Sequence, residues 1–418
     1  MVSMPNWPKK IIKHPDIKDL SRMRSLMNEL GNPHLNLPKT VHIAGTNGKG
    51  SSCAMLKSIL SAAGYRVHMY TSPHIIEFNE RIVLAGHKID DYFLLECLEK
   101  VRIASEKISL EPTFFEATTA AAFVAFSSIE ADILILETGL GGRLDPTNII
   151  EKPICSIITP ISFDHMEFLG ADIRLIAGEK AGIIKDNCPL IISRQDEAVM
   201  DILLSKAEEK NSPSIAYEYD YIPEKAENGF DYFSRLGDIK NIELGLLGDH
   251  QIINASAVIS AIKLLNKFGF EIKDENIKNG LKSANWIGRI QKLKYKNFEL
   301  FADGAHNISG AAALADWIKE QKFKNLKIII GLTKNRDVSS ILTQFKDLNA
   351  EIYSVSVLSE PMSYSDEKLS QIANDSGFKV KPLGTIANAL DRIYWEEPKS
   401  NIVVTGSLFL ISDLLKLN

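Results

Sequence analysis

Thr40-Val-His-Ile-Ala-Gly-Thr-Asn-Gly-Lys-Gly-Ser-Ser52 decides how the rest of this 418-residue chain is read. Val41 and Ile43 give an apolar strand, Gly45, Gly48 and Gly50 make the turn after it, and Cys53, Met55, Leu56, Ile59 and Leu60 recur at helical spacing. A strand, a glycine-rich loop and a helix in that order suit a polyphosphate. Backbone N–H groups point into the turn, the helix N-terminus adds the positive end of its dipole, and Lys49 supplies a point charge. The loop is compact: only Thr46 and Asn47 separate Gly45 from Gly48, and Gly50 stands where Ser or Thr normally follows the lysine, with Ser51 one place late. A tight strand-to-helix turn that binds nothing is the bland alternative. A lysine set between two glycines ahead of a helix favours phosphate. The candidate nucleotide loop is Gly45, Thr46, Asn47, Gly48, Lys49, Gly50 and Ser51, with Lys49 expected to face solvent.

Outward from this loop, short apolar runs alternate with helical patterns, the signature of an α/β protein with a parallel sheet. Strands are expected at 41–44, 67–71, 133–137, 154–159 and 190–193, with helices at 51–63 and 115–126. The polar stretch 211–241 reads as small antiparallel strands or an excursion off the sheet. A second alternating series runs through 298–302, 327–331, 352–357 and 402–405. With the boundary near Trp286–Gln291, residues 1–286 form a phosphate-loop ATPase domain and 287–418 a smaller Rossmann-like domain. A net charge of -5 gives no reason to expect nucleic acid or an anionic membrane as partner. Cys53, Cys97, Cys155 and Cys188 form no C-x-x-C pair, so thiols in a reducing cytosol are expected rather than zinc or disulfides. Met1–Leu20 lacks an apolar signal core, and the longest apolar run, 402–411, is broken by Thr405, Gly406 and Ser407. A cytoplasmic protein follows, and with no heptad seam, a monomer.

Ala131-Asp-Ile-Leu-Ile-Leu-Glu137 is an apolar strand ending in an acid. Ligands of open parallel sheets bind beyond the carboxyl ends of strands, where a carboxylate suits magnesium bridging nucleotide phosphates. The alternative is a Glu that caps its strand through backbone N–H groups; the Gly139-Leu-Gly-Gly142 turn behind it favours the metal. That turn lacks the third glycine of a dinucleotide fingerprint, which argues against an oxidoreductase.

The G-T-N-G-K-G-S loop resembles that of folylpolyglutamate synthases and bifunctional dihydrofolate synthases, relatives of the cell-wall Mur ligases. Further matches follow in order: Thr71-Ser-Pro-His74 with Phe78-Asn-Glu-Arg81, Phe114-Phe-Glu116, Glu137 to Asp145, Asp164-His165 with Glu179-Lys-Ala-Gly182, Gly248-Asp-His-Gln251 with Asn254-Ala255, Gly288-Arg289, and Asp303-Gly-Ala-His-Asn307. The resemblance implies that Ser72, Glu137 and His165 ligate magnesium, although a Ser before Pro73 is by itself a turn residue and imidazole is not magnesium's preferred partner. It implies that Lys180 is carbamylated; an exposed lysine paired with Glu179 is the alternative. Lys49, Glu137, His165 and Lys180 form the implied catalytic group. Asn254 is expected at the adenine edge or as a helix-facing polar residue, Arg289 at a phosphate, Asp303 at the ribose, and His306 with Asn307 in the interdomain cleft. Ile287 stands where the pattern has Pro, which bears on hinge stiffness. Arg81, Thr113, Phe115 and Asp145 are the implied substrate residues, with one of Phe114 and Phe115 packed in the core.

The implied reaction is ATP-dependent amide ligation. A carboxylate on dihydropteroate or folate takes the γ-phosphoryl group, and the amine of L-glutamate displaces phosphate from the acyl phosphate. Three other readings remain open: a folylpolyglutamate synthase alone, a Mur-type cell-wall ligase, and an ATP-binding switch. Mur-type enzymes usually carry a nucleotide-sugar domain ahead of the ATPase domain, and the residues before Gly45 are too few for one.

Overall fold

Strands β1 (Lys39–Ala44), β2 (Val67–Tyr70), β3 (Ile82–Leu84), β4 (His87–Lys88), β5 (Ile133–Glu137), β6 (Cys155–Ile158), β7 (Leu190–Ile192) and β8 (Ser214–Ala216) build the first sheet of the computed structural model, which describes residues 18–296 and 298–417. Their order is β4-β3-β2-β5-β1-β6-β7-β8, parallel except where β3 turns back on β2 and β4 on β3. β5 is an apolar run but for its terminal Glu137, and β1 is buried from Thr40 to Ala44, as a parallel sheet covered on both faces requires. The register pairs Ile43 with Glu137 and Ala44 with Ile158, so the loops after β1, β5 and β6 leave one sheet edge side by side. Three antiparallel strands follow, β9 (Tyr221–Ala226), β10 (Gly229–Ser234) and β11 (Ile239–Ile242), the excursion expected of the polar stretch.

The remaining strands are β12 (Gln291–Tyr295), β13 (Phe298–Ala302), β14 (Leu326–Ile330), β15 (Ala350–Ser356), β16 (Val380–Thr385) and β17 (Asn401–Thr405). They form a second sheet in the order β12-β13-β17-β14-β15-β16, antiparallel only at β12. The chain divides into two compact units. One runs to Gly245 and takes in Ile252–Ala284; the other comprises Leu246–Gln251 and everything from Asn285. In the first, helices Asp91–Lys107 and Phe114–Ser128 cover one part of the sheet around Tyr70, Phe123 and Leu134, and a second cluster gathers Ile158, Ile176 and Leu203. In the second, Trp317, Ile328 and Val403 lie in one cluster and Leu300, Val404 and Ile411 in another.

Both expected helices differ at each end, running Lys49–Ala62 and Phe114–Ser128. The helix behind the glycine loop begins at Lys49, and Phe114–Ser128 starts one residue early because Thr113 caps it. Among the described residues no helix is long and apolar enough to cross a membrane. The expected absence of a signal core at the N-terminus falls, through residue 17, outside the described residues.

Candidate active site

Gly45 and Gly48 have positive φ, +152° and +85°, and both are packed from outside the loop. A Cβ on Gly45 would lie 1.8 Å from Thr159 Oγ1, and one on Gly48 would lie 2.3 Å from Asn254 Oδ1. Only glycine fits either place. The loop that follows β6 holds the turn: Thr46 and Asn47 donate their backbone N–H groups to the Pro160 carbonyl, and Thr46 Oγ1 donates to the Ser162 carbonyl at 3.0 Å. Lys49 is the first residue of the helix and does not project into solvent. Its Nζ donates to the carbonyls of Gly45 and Thr46 at 3.1 and 3.2 Å. Asn254, buried on helix His250–Lys267, lies against the glycine turn. Gly50 and Ser51 fall in the first helical turn, where Ser51 is buried.

Lys180 reaches the same carbonyl: its Nζ donates to Gly45 O at 2.7 Å, from a side chain only 5% exposed. The alternative of an exposed lysine paired with Glu179 is thereby excluded, since Glu179 bonds to Arg143 instead. Burial pushes the Lys180 ammonium down to about 7; Lys49 adds repulsion, while Asp164 and Asp145 oppose it. Glu137, 3% exposed, accepts the Ser72 backbone N–H at 3.1 Å, which brings the Ser72 and Glu137 oxygens into one neighbourhood. Carboxylate and hydroxyl are hard donors, so this pair fits magnesium by its chemistry. His165 stands more openly, at φ +50°, with Asp164 and Glu167 carboxylates 3.9 and 4.0 Å from its ring nitrogens. Among the described residues no three His, Cys, Asp or Glu side chains gather as a metal-holding group.

The proposed acceptor residues carry structural duties that the sequence reading did not anticipate. Thr113 Oγ1 accepts the Glu116 N–H and Glu116 returns a bond to the Thr113 N–H, a capping box written in the sequence as T-x-x-E. Glu116 also receives Arg22, an anchor for which the sequence near position 22 gives no signal. Asp145 Oδ2 accepts the N–H groups of Gly139 and Leu140, while Oδ1 accepts the Thr147 N–H and hydroxyl, so the carboxylate shapes the glycine turn beyond β5. Burial raises its pKa against those bonds. Phe115 lies across Gly139, where a Cβ would meet the ring at 2.3 Å, and its ring centroid is 6.1 Å from that of Tyr70. Phe114 meets Phe78 edge-on at 6.0 Å. The Arg81 guanidinium lies 5.5 Å from both of those ring centroids, and its Nε donates to His74 Nδ1 at 2.9 Å.

In the second unit, Asp303 ties two turns: Oδ2 accepts from Ile290 N at 2.9 Å and Oδ1 from Ala305 N at 2.8 Å. Ile290 sits at φ +43°, a conformation costly for a β-branched residue, and this bond holds it there. Arg289 Nη1 donates to the Gly288 carbonyl at 3.1 Å; the His306 ring is 2.7 Å from the Gly304 carbonyl, and Asn307 caps helix Ile308–Gln321. His250 belongs to this group although its motif alone did not single it out. Its imidazole packs beside Gly248, burial lowers its pKa, and Asp303 and Arg289 act on it with opposite signs.

Residues 43–262 match the family profile described as Mur ligase middle domain, and residues 286–417 the one described as dihydrofolate synthetase, C-terminal domain. The chain is 34% identical over 417 residues to the dihydrofolate synthase/folylpolyglutamate synthase of Bacillus subtilis, covering 95% of this chain and 94% of that one. It is 30% identical to the folylpolyglutamate synthase of Lacticaseibacillus casei, covering 94% and 93%. Among solved structures, Escherichia coli FolC in complex with DHPP and ADP superposes with a TM-score of 0.87 at 28% identity, covering 97% of this chain and 94% of that one. Mycobacterium tuberculosis folylpolyglutamate synthase complexed with ADP and AMPPCP gives 0.86 at 29%, covering 96% and 95%. With a relative of this identity matched over nearly the whole of both chains and a family profile over residues 43–262, the chain belongs to the dihydrofolate synthase/folylpolyglutamate synthase family of Mur ligases.

Proposed function

We propose that this protein is an ATP-dependent ligase that adds L-glutamate to dihydropteroate and to reduced folates through an acyl phosphate. The observation that carries the reading is the glycine turn, wedged between Thr159 and Asn254, with the Lys49 and Lys180 amines on one Gly45 carbonyl. An acceptor carboxylate attacks the γ-phosphorus of ATP and ADP leaves; the glutamate amine then attacks the acyl carbon, phosphate leaves, and an amide forms. A carboxylate is a weak nucleophile repelled by the triphosphate. Lys49 offsets that repulsion as the phosphoryl group moves, from a position already beside the loop.

Ser72 and Glu137, with His165 for a second ion, would hold magnesium, which when bound neutralises phosphate charge. Lys180, whose ammonium burial pushes down to about 7 and so leaves a substantial uncharged fraction near neutral pH, is suited to take carbon dioxide at Nζ, losing one proton and becoming an oxygen-bearing carbamate. Asn254, Arg289, Asp303 and His306 serve the nucleotide, and Arg81, Thr113, Phe115 and Asp145 the acceptor. In this reading residues 1–286 supply the ATPase half and 287–418 the ligase half of a cytoplasmic monomer.

The test is incorporation of labelled glutamate by the purified protein with ATP and magnesium, supplied with either dihydropteroate or tetrahydrofolate. Incorporation with both is expected. Tetrahydrofolate alone would leave a folylpolyglutamate synthase, and neither would end the folate reading. ADP release that ignores glutamate would favour a nucleotide switch.

A further inference from the structure

Arg81 is a guanidinium without a counter-ion. It is 7% exposed, yet among the described residues no carboxylate lies within ion-pair distance of it; Glu137 and Glu80 support its charge only from farther away. Its Nε is spent on His74 Nδ1, an uncharged acceptor, and Tyr70 lies beside it. Because arginine only donates, His74 Nδ1 carries no proton while this bond lasts. Phe78 and Phe114 flank the guanidinium and lower the local dielectric. A desolvated cation left unpaired is costly, and the cost is recovered when an anion arrives. Arginine's fork fits a carboxylate with two parallel bonds.

The two acceptors differ in this respect. Dihydropteroate has one carboxylate, which must go to the phosphoryl group. A reduced folate has two on its terminal glutamate: the γ-carboxylate reacts, and the α-carboxylate is a charged spectator that needs its own partner. Lys49 and Lys180 are committed to the glycine loop. Resting on the proposed ligase activity, we infer that Arg81 binds the spectator α-carboxylate of a glutamylated acceptor, with His74 as a positioning residue, and so sets the preference between folate and pteroate.

Two substitutions, Arg81→Met and Arg81→Lys, test this with three acceptors: dihydropteroate, tetrahydrofolate, and tetrahydrofolate whose α-carboxylate is a carboxamide. In Arg81→Met, kcat/KM for tetrahydrofolate falls at least about 30-fold further than that for dihydropteroate, chiefly through KM. Arg81→Lys falls between, since an ammonium keeps the charge and loses the fork. The carboxamide is a poor acceptor for the unaltered protein and is little affected by either substitution. Equal losses with all three acceptors, or a carboxamide as good as tetrahydrofolate in the unaltered protein, would overturn the inference. Equilibrium binding of tetrahydrofolate and its carboxamide, followed by fluorescence, separates the two claims. If no acceptor is glutamylated but Arg81→Met still weakens only tetrahydrofolate, the ligase reading fails and the carboxylate site stands. If neither compound binds, or both bind Arg81→Met as they bind the unaltered protein, the site is refuted.

Discussion

Lys49 makes bonds that the loop can lose. Its two carbonyl contacts are ordinary in length, and Gly45 and Gly48 remain fixed by Thr159, Pro160 and Asn254 without them. Lys49→Ala should lower stability by no more than about 1 kcal/mol while turnover falls about 100- to 1,000-fold. A melting curve and a glutamate-incorporation assay check both halves, and near-normal turnover would take the loop out of the chemistry. His42 behaves differently. It is buried in β1, with Nε2 2.9 Å from Thr147 Oγ1, and burial, helped by Lys185, pushes its pKa down to about 3 from an ordinary 6.5. Between those values the unfolded chain binds a proton that the folded chain does not, so stability falls as pH drops through the window. The slope approaches about 1.4 kcal/mol per pH unit for this one group. Urea unfolding from pH 7 to pH 4 should show a shallower acid loss in His42→Gln, and identical slopes would count against it. The loop's strand–turn–helix form was legible because glycine, lysine and spacing spell it locally. The duties of Thr113 and Asp145 were hidden because the same oxygens that suit a ligand also cap backbone N–H groups. Asn254 was legible as a polar helix residue, but its packing on Gly48 depends on a contact far along the chain.

Helix Asp274–Ser283 packs on helix Lys49–Ala62 at a point where only a glycine fits: a Cβ on Gly280 would stand 2.4 Å from Ile59 Cα. Asn276 bonds to the Ala62 carbonyl and Ser58 to Ser283 along the same seam. Gly280→Ala must therefore separate two backbones, and a loss of about 1–3 kcal/mol is expected from overpacking, partly offset by alanine's better helix propensity. Denaturant midpoints of the two proteins decide it; an unchanged or higher midpoint would mean that the seam is loose. The strands missed by pattern reading share a cause. β4, β8, β12 and β16 are the edges of their sheets, and β3 is a three-residue return beside β4. An edge strand has one neighbour and an open side, so its apolar run is diluted: β12 is Gln291-Lys-Leu-Lys-Tyr295, and β16 carries Pro382. Central strands such as β1, β5 and β14, covered on both faces, announced themselves.

Over the whole molecule, the two units have separate cores, and the chain passes between the units three times, near Gly245, Gln251 and Ala284. The sequence places a boundary at 286, two residues beyond the Ala284 crossing, and marks neither of the other two: Leu246–Gln251 belongs with the second unit, where Gly248 and His250 pack beside Ile290, a contact invisible in a local window. Separate cores predict unfolding that is not two-state, with a van't Hoff enthalpy below the calorimetric one. Three of the four tryptophans, Trp286, Trp317 and Trp395, fall in the second unit, so fluorescence weights that unit while far-ultraviolet circular dichroism follows both. The glycine loop belongs to the first unit. ADP at about 100 times its dissociation constant should add about 2.7 kcal/mol to whatever unfolds with the loop. The expected result is a circular-dichroism transition that ADP moves upward by more than it moves the tryptophan transition. Coincident curves that rise together would instead make the protein one cooperative unit, with the energy of nucleotide binding shared across both cores.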